Sequence, residues 1–169
     1  MEAIQLNFNI NKNIDVNIVV VDDFYEDPLW VRKFALSRDT FKFHPQWHKG
    51  RRTEESFKPE EVKNVIEKLL GKKITGWKTH GANGVFQYCT AEDSVVYHVD
   101  TQSHAAVVYL TPDAPPESGT TFFRSKTNKL REEPSNETAK QLGKHKGQLI
   151  TEIFKFGFYD KTQFEIRSE

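Results

Sequence analysis

Two residues have the types and spacing to hold a metal ion: His98 and Asp100, in the run Tyr97-His98-Val99-Asp100. In an extended strand, residues i and i+2 project from the same face. An imidazole nitrogen and a carboxylate oxygen would then face one cation, supplying two of the three ligands of a two-histidine, one-carboxylate triad. Such a triad leaves coordination positions open, as a non-haem Fe(II) oxygenase needs for cosubstrate and dioxygen. His-x-Asp is a short pattern, and its bland alternative is a polar strand end. After Asp100 the remaining histidines are His104 and His145. His104 stands at the start of the next expected strand. His145 lies in the polar, loop-like stretch 142–147, with Lys155 further on as a cation.

Other chemistries leave no mark. There is no glycine-rich phosphate loop and no nucleophile elbow. The single cysteine, Cys89, excludes an internal disulfide framework and fits a reducing, cytoplasmic compartment. Nothing flanking it suggests an activated thiolate, so it reads as a buried small apolar group. The 169 residues carry 24 Lys and Arg against 24 Asp and Glu, a formal net charge of zero. That balance argues against a general coat for nucleic acid, which holds its affinity by excess cations. No window approaches the length of a membrane-spanning apolar run, and residues 1–5 lack the marks of a secretory signal. Thirteen Phe, five Tyr and three Trp point to a folded, aromatic-rich core.

The elements that must position His98 and Asp100 read as follows. Residues 1–16 are a leading strand or arm. The β-branched run 17–21 is a strand. Asp27-Pro28 pairs an N-cap residue with proline at the first helical position, predicting a helix to about Ser37. Residues 38–57, with Phe41, Phe43, His44, Trp47, His48, Gly50, Arg51 and Arg52, read as a basic loop with an aromatic anchor or a substrate mouth. Pro59 opens a second helix whose stripe is Val62, Val65, Ile66, Leu69 and Leu70, ended by Gly71. Short strands are expected at 74–77, 84–90, 95–100, 105–110 and 119–123, and a helix at 136–142. Ile150, Ile153, Phe154 and Phe156 return to apolar, in helix or strand. The fold class is α+β, in one domain spanning 1–169: a helical part over 17–72, strands with the metal motif over 73–127, and a polar insert and tail over 128–169.

The order of these segments carries a resemblance. It runs from Gly84-Val85-Phe86-Gln87-Tyr88 through His98-Val99-Asp100 and Ala106-Val107-Val108-Tyr109-Leu110 to Ser118-Gly119-Thr120-Thr121-Phe122-Phe123, preceded by Val20-Val21-Asp22-Asp23-Phe24 and Asp27-Pro28. Over most of residues 17–126 it resembles the prolyl-hydroxylase-like branch of the Fe(II)- and 2-oxoglutarate-dependent dioxygenases. More closely, it is similar to uncharacterised oxygenase-like proteins of phages and aquatic bacteria. The resemblance implies a double-stranded β-helix (jelly-roll) core behind N-terminal helices. It implies a hydroxylase-type oxidoreductase with Fe(II) and 2-oxoglutarate as cofactors and His98 and Asp100 as catalytic metal ligands. It turns Tyr88 and Tyr109 toward 2-oxoglutarate; each reads otherwise as a core aromatic whose hydroxyl finds a partner.

The family also places a second histidine on a later strand, with Arg or Lys beyond it, and by that pattern His104 is too near in sequence to be the distal ligand. Those features are expected to lie past residue 169, which makes the jelly roll incomplete at its C-terminus and a complementing C-terminal segment a partner. The competing expectation is His145 as third ligand with Lys155 holding the cosubstrate. The alternative function is a non-catalytic jelly-roll binding module or an inactive oxygenase fragment. The substrate stays open among a peptidyl proline, another protein side chain, a nucleobase and a small metabolite.

Overall fold

The structure, a computed structural model, describes residues 18–43, 49–93, 96, 98–100, 102–155, 158–159 and 164–166. The expectations for 1–16, and those for His44, Trp47, His48, Tyr97 and Phe156, lie outside the described residues. The chain is α+β, and its sheets are small and antiparallel. Among the described residues no strands close into a barrel, and no helix is long and apolar enough to cross a membrane. The described residues fall into two compact units.

The first unit takes the described residues of Met1–Phe43, Gly50–Thr90 and Val108–Pro112. Helix α1 spans Pro28–Leu36 and buries Val31 and Ala35, one turn apart. It starts where expected because the Asp27 carboxylate accepts the Trp30 N–H at 2.8 Å, satisfying one of the unpaired donors of the first turn. Helix α2, Glu60–Leu70, has Glu60 and Glu61 at its positive end and stops at Gly71, whose φ of 63° is left-handed. Its buried Glu67 accepts from Lys73 Nζ at 2.7 Å and from the Ile74 N–H at 2.9 Å. The Lys73 hydrogen bond, then that of Ile74, holds the Glu67 carboxyl below its ordinary value.

Strands β1 (Phe41–Phe43), β2 (Arg51–Thr53) and β3 (Gln87–Tyr88) form one antiparallel sheet. This corrects the loop expected over 38–57. Each strand there has three residues, too few for alternation to stand out against basic, polar neighbours. The register pairs Phe41 with Thr53, Phe43 with Arg51, and Arg51 with Tyr88. The polar face carries Lys42, Arg52 and Gln87, with Arg52 Nε donating to Gln87 Oε1 at 2.5 Å.

Beyond the sheet edge Phe34, Phe57 and Phe86 pack as a triangle, with ring centroids 5.0, 6.0 and 5.2 Å apart. Each such pair contributes about 1 kcal/mol beyond its burial. Two glycines make the approach possible. A Cβ on Gly84 would lie 2.2 Å from the Phe57 carbonyl oxygen, and one on Gly50 2.1 Å from that of Tyr88. Both have positive φ.

Residues 74–77 are turn rather than the expected strand. Asn83 Nδ2 donates to the Gly76 and Trp77 carbonyls, and Lys58 Nζ donates to those of Lys78 and His80, each at 3.1 Å. Side chains thus take the acceptors that a ladder would have used.

The second unit takes the described residues of His44–Lys49, Ala91–Val107 and Asp113–Glu169. Strand β4 (Phe123–Ser125) pairs with β7 (Phe164–Ile166), and β5 (Phe154–Lys155) with β6 (Phe158–Tyr159). Glu165 on β7 accepts from Arg124 Nε at 2.8 Å and from Lys129 Nζ at 2.9 Å. Helix α3 (Asn136–Gln141) begins at Ser135, whose Oγ accepts the Thr138 N–H at 3.0 Å. Helix α4 covers Lys146–Ile153. Ala139 and Leu149 are buried together, with Leu130 and Phe164 packed against them.

Three expected strands are not paired. The described residues of 17–21, 95–100 and 105–110 join no ladder. Val107 and Tyr109 are 64% and 62% exposed. A β-branched run favours extended backbone, yet becomes a strand only when another edge meets its N–H and C=O groups. The strand expected over 119–123 lies at Phe123–Ser125 instead, and that over 84–90 shortens to Gln87–Tyr88.

Candidate metal site

His98 and Asp100 approach one another without a ladder to align them. His98 Nδ1 lies 3.2 Å from the Val96 carbonyl oxygen. A carbonyl only accepts, so Nδ1 carries the proton in that contact, and in the neutral ring Nε2 then bears the lone pair. Nε2 faces Asp100 Oδ1 at 3.5 Å, longer than an ordinary N–H···O bond of about 2.9 Å. The two side chains are 51% and 44% exposed. The two side chains meet, while the strand expected to place them is not formed among the described residues.

The donor set suits a divalent first-row cation. Ligand atoms about 2.1 Å from such an ion stand about 3.0 Å apart at a right angle and about 3.4 Å apart at the tetrahedral angle. The 3.5 Å between Nε2 and Oδ1 is near that range, so a small closing movement would let both atoms reach one ion. A backbone carbonyl on the far ring nitrogen is also the usual way in which a metal-binding histidine is oriented.

The other candidates are placed elsewhere. His104 Nδ1 shares a hydrogen bond with Ser103 Oγ at 2.9 Å. His145 stands just before α4, where its carbonyl accepts the Leu149 N–H at 3.1 Å and its N–H donates to Gln148 Oε1 at 3.3 Å. The reciprocal pattern is that of a helix start. Lys155 is on β5, paired with Phe158. Among the described residues no group of three His, Cys, Asp or Glu side chains gathers for a metal ion, so neither histidine joins His98 and Asp100 in such a group.

Tyr88 is on β3, its ring edge-on to Phe41 with centroids 4.9 Å apart. Tyr109 follows Val108 in a segment that joins no ladder among the described residues, and it is largely exposed. Cys89 is exposed, which corrects the buried reading. Gln87 Nε2 donates to its sulfur at 3.4 Å, and the sulfur lies beside Gly50, 2.8 Å from where a Cβ there would stand.

Sequence reasoning missed Val96, and it placed Arg51 in a basic loop or substrate mouth rather than on a strand. The Val96 carbonyl sets the His98 ring, and no side-chain pattern announces a backbone acceptor two residues away. Arg51 stands between Phe43 and Tyr88 in the sheet register; the alternation Phe41-Lys42-Phe43 was the available signal. No family model, no curated protein and no solved structure matches the chain, so the chemistry of the site rests on its own atoms.

Proposed function

We propose that the chain is an Fe(II)- and 2-oxoglutarate-dependent dioxygenase of the hydroxylase type, on a jelly-roll core, with His98 and Asp100 as metal ligands. One observation carries this reading: the Val96 carbonyl holds His98 Nδ1–H, so that the Nε2 lone pair and the Asp100 carboxylate face each other at 3.5 Å. Two electron-rich atoms so placed repel unless a cation joins them. That cation is either a proton, as in an imidazolium–carboxylate pair, or a metal ion. The nitrogen and oxygen donors suit a borderline divalent ion such as Fe(II).

His98 and Asp100 would hold Fe(II), and with 2-oxoglutarate the ion would supply oxidative decarboxylation coupled to hydroxylation of a substrate C–H bond, dioxygen furnishing one atom to succinate and one to product. The chain's own residues bind and orient. The Val96 carbonyl keeps the imidazole in one tautomer and orients its ring. Asp100 supplies a negative charge that offsets part of the cation's. The partial exposure of both side chains leaves room for donors from cosubstrate and water. Tyr88 and Tyr109 are the residues to test for contact with 2-oxoglutarate.

A non-catalytic relative is the second reading, favoured by the gathering of two rather than three metal-type side chains among the described residues. An anaerobic Fe(II) titration, with and without 2-oxoglutarate, separates the two. Enzyme chemistry requires saturable Fe(II) binding and a weak visible charge-transfer band on adding 2-oxoglutarate, both lost in His98→Ala and Asp100→Ala. Equal Fe(II) affinity in wild type and both variants would remove these residues from the ligand set.

A further inference from the structure

We propose that the aromatic face of the β1–β2–β3 sheet is a stacking platform for a single-stranded nucleic acid. The register puts Phe43, Arg51 and Tyr88 in one row across three strands. Residues directly opposite in antiparallel strands share a face, so all three side chains project from the same side. Phe43 and Tyr88 are 49% and 36% exposed, and Arg51 is exposed between them. The Arg51 guanidinium lies over the Phe43 ring, 5.9 Å from its centroid. Phe41 and Tyr88 make a T-shaped contact with centroids 4.9 Å apart, which restricts the Tyr88 ring before any ligand arrives.

At the other end of the face, buried Thr53 closes against Phe86 through two hydrogen bonds. The surface is thus anchored on one side and open on the Phe43–Arg51–Tyr88 row. Adjacent strands are about 4.8 Å apart, so the row presents three flat groups over about 10 Å. Bases stack on aromatic rings and on guanidinium planes.

Charge selects the occupant. The strand residues of this face are Phe41, Phe43, Arg51, Thr53 and Tyr88, with one formal positive charge and no carboxylate. Glu54 is held by Lys42 Nζ at 2.6 Å, on the opposite face. An acid-free aromatic row with a central arginine suits phosphodiester better than a neutral proline-rich peptide, which would leave Arg51 unpaired. The overall neutrality of the chain fits as well, because stacking rather than a cationic coat supplies the affinity. The platform uses the ring face of Tyr88 and stands independently of the metal reading.

The test is fluorescence anisotropy of a labelled oligothymidylate with the full chain, titrated at several salt concentrations. Binding is expected with a shallow salt dependence, a log–log slope of about one unit, as one phosphate contact predicts. Phe43→Ala and Tyr88→Ala are each expected to weaken binding about tenfold, the loss of one stacked base. Phe43→Tyr keeps a ring and should bind as wild type, whereas Phe43→Leu keeps apolar bulk without a π face and should bind as alanine does. Circular dichroism melts show that each variant is folded. Arg51→Ala should weaken binding and flatten the salt slope, and Lys42→Ala, on the opposite face, should leave affinity unchanged. No binding, equal affinity for duplex DNA, a steep slope indifferent to the ring substitutions, or preference for a proline-rich peptide would overturn the proposal.

Discussion

In the β1–β2–β3 sheet, the position of each projecting side chain is set by residues far away in the chain. Arg52 is held by Gln87, 35 positions on, and Tyr88 is held by Phe41. Around residues 96–100 the controls are local: the Val96 carbonyl sets His98, and Asp100 meets the same ring two residues later. The sheet array exists only once the first unit has folded around Phe34, Phe57 and Phe86. The His98–Asp100 pair needs two residues of extended backbone and a tautomer. A site of the first kind is rigid and fails with the fold. One of the second kind can be deleted at little cost to the fold, and it gains rigidity when a cation ties its two ends.

The largest expected effect would break the sheet side of this contrast. Gly84→Ala drives a Cβ into the Phe57 carbonyl at a left-handed φ. It is expected to lower stability by about 3 kcal/mol, read by urea unfolding, and to abolish the sheet's geometry with it. Gly71→Ala is the control. A Cβ there meets nothing within 4 Å, so it should cost about 1 kcal/mol, the left-handed strain alone.

Next comes the local pair. His98→Ala and Asp100→Ala should each reduce Fe(II) affinity about a hundredfold by calorimetry under argon. Each should move unfolding stability by no more than about 0.5 kcal/mol, as for exposed positions without buried partners. A large loss of stability in either variant would show that the segment is tied into a core and not local.

A smaller effect is expected at Glu67, which ties the end of α2 to the segment that follows it. Its carboxyl is held below its ordinary value by Lys73 and the Ile74 N–H. The stability this contributes is present above the ordinary carboxylate range and is lost as pH falls through the lowered value. Glu67→Gln should therefore lower Tm at neutral pH and flatten the acid limb of a Tm–pH profile. An unchanged acid limb would mean that other carboxylates govern it.

The smallest effect concerns a purely local device. Asp27→Ala removes the acceptor of the Trp30 N–H and should cost about 1 kcal/mol, whereas Asp27→Asn should retain most of it. Equal losses in the two variants would exclude capping as the role of Asp27.

The legible and illegible parts divide along the same line as these two regions. Helices α1 and α2 were readable from Asp27-Pro28 and from Pro59 through Gly71 because a helix satisfies its own backbone and its caps are neighbours in sequence. Ser135 and α3 were readable for the same reason. Strands were not. Residues 105–110 have the composition of a strand but no ladder, and Phe41–Phe43 form a strand out of what reads as a loop. A strand is completed by a partner that no local pattern names.

The sequence by itself determined the helix starts and stops, the two-residue spacing that lets His98 and Asp100 meet, and the charge balance that argues against a general polyanion coat. Those are properties of neighbouring residues and of summed composition. Tertiary structure alone decided that Phe43, Arg51 and Tyr88 form a row, that Arg52 meets Gln87 and that Phe34, Phe57 and Phe86 pack together. Each depends on which distant backbone groups satisfy one another. That choice is made by packing and hydrogen bonding across the fold, at separations where residue pattern carries no information about the partner.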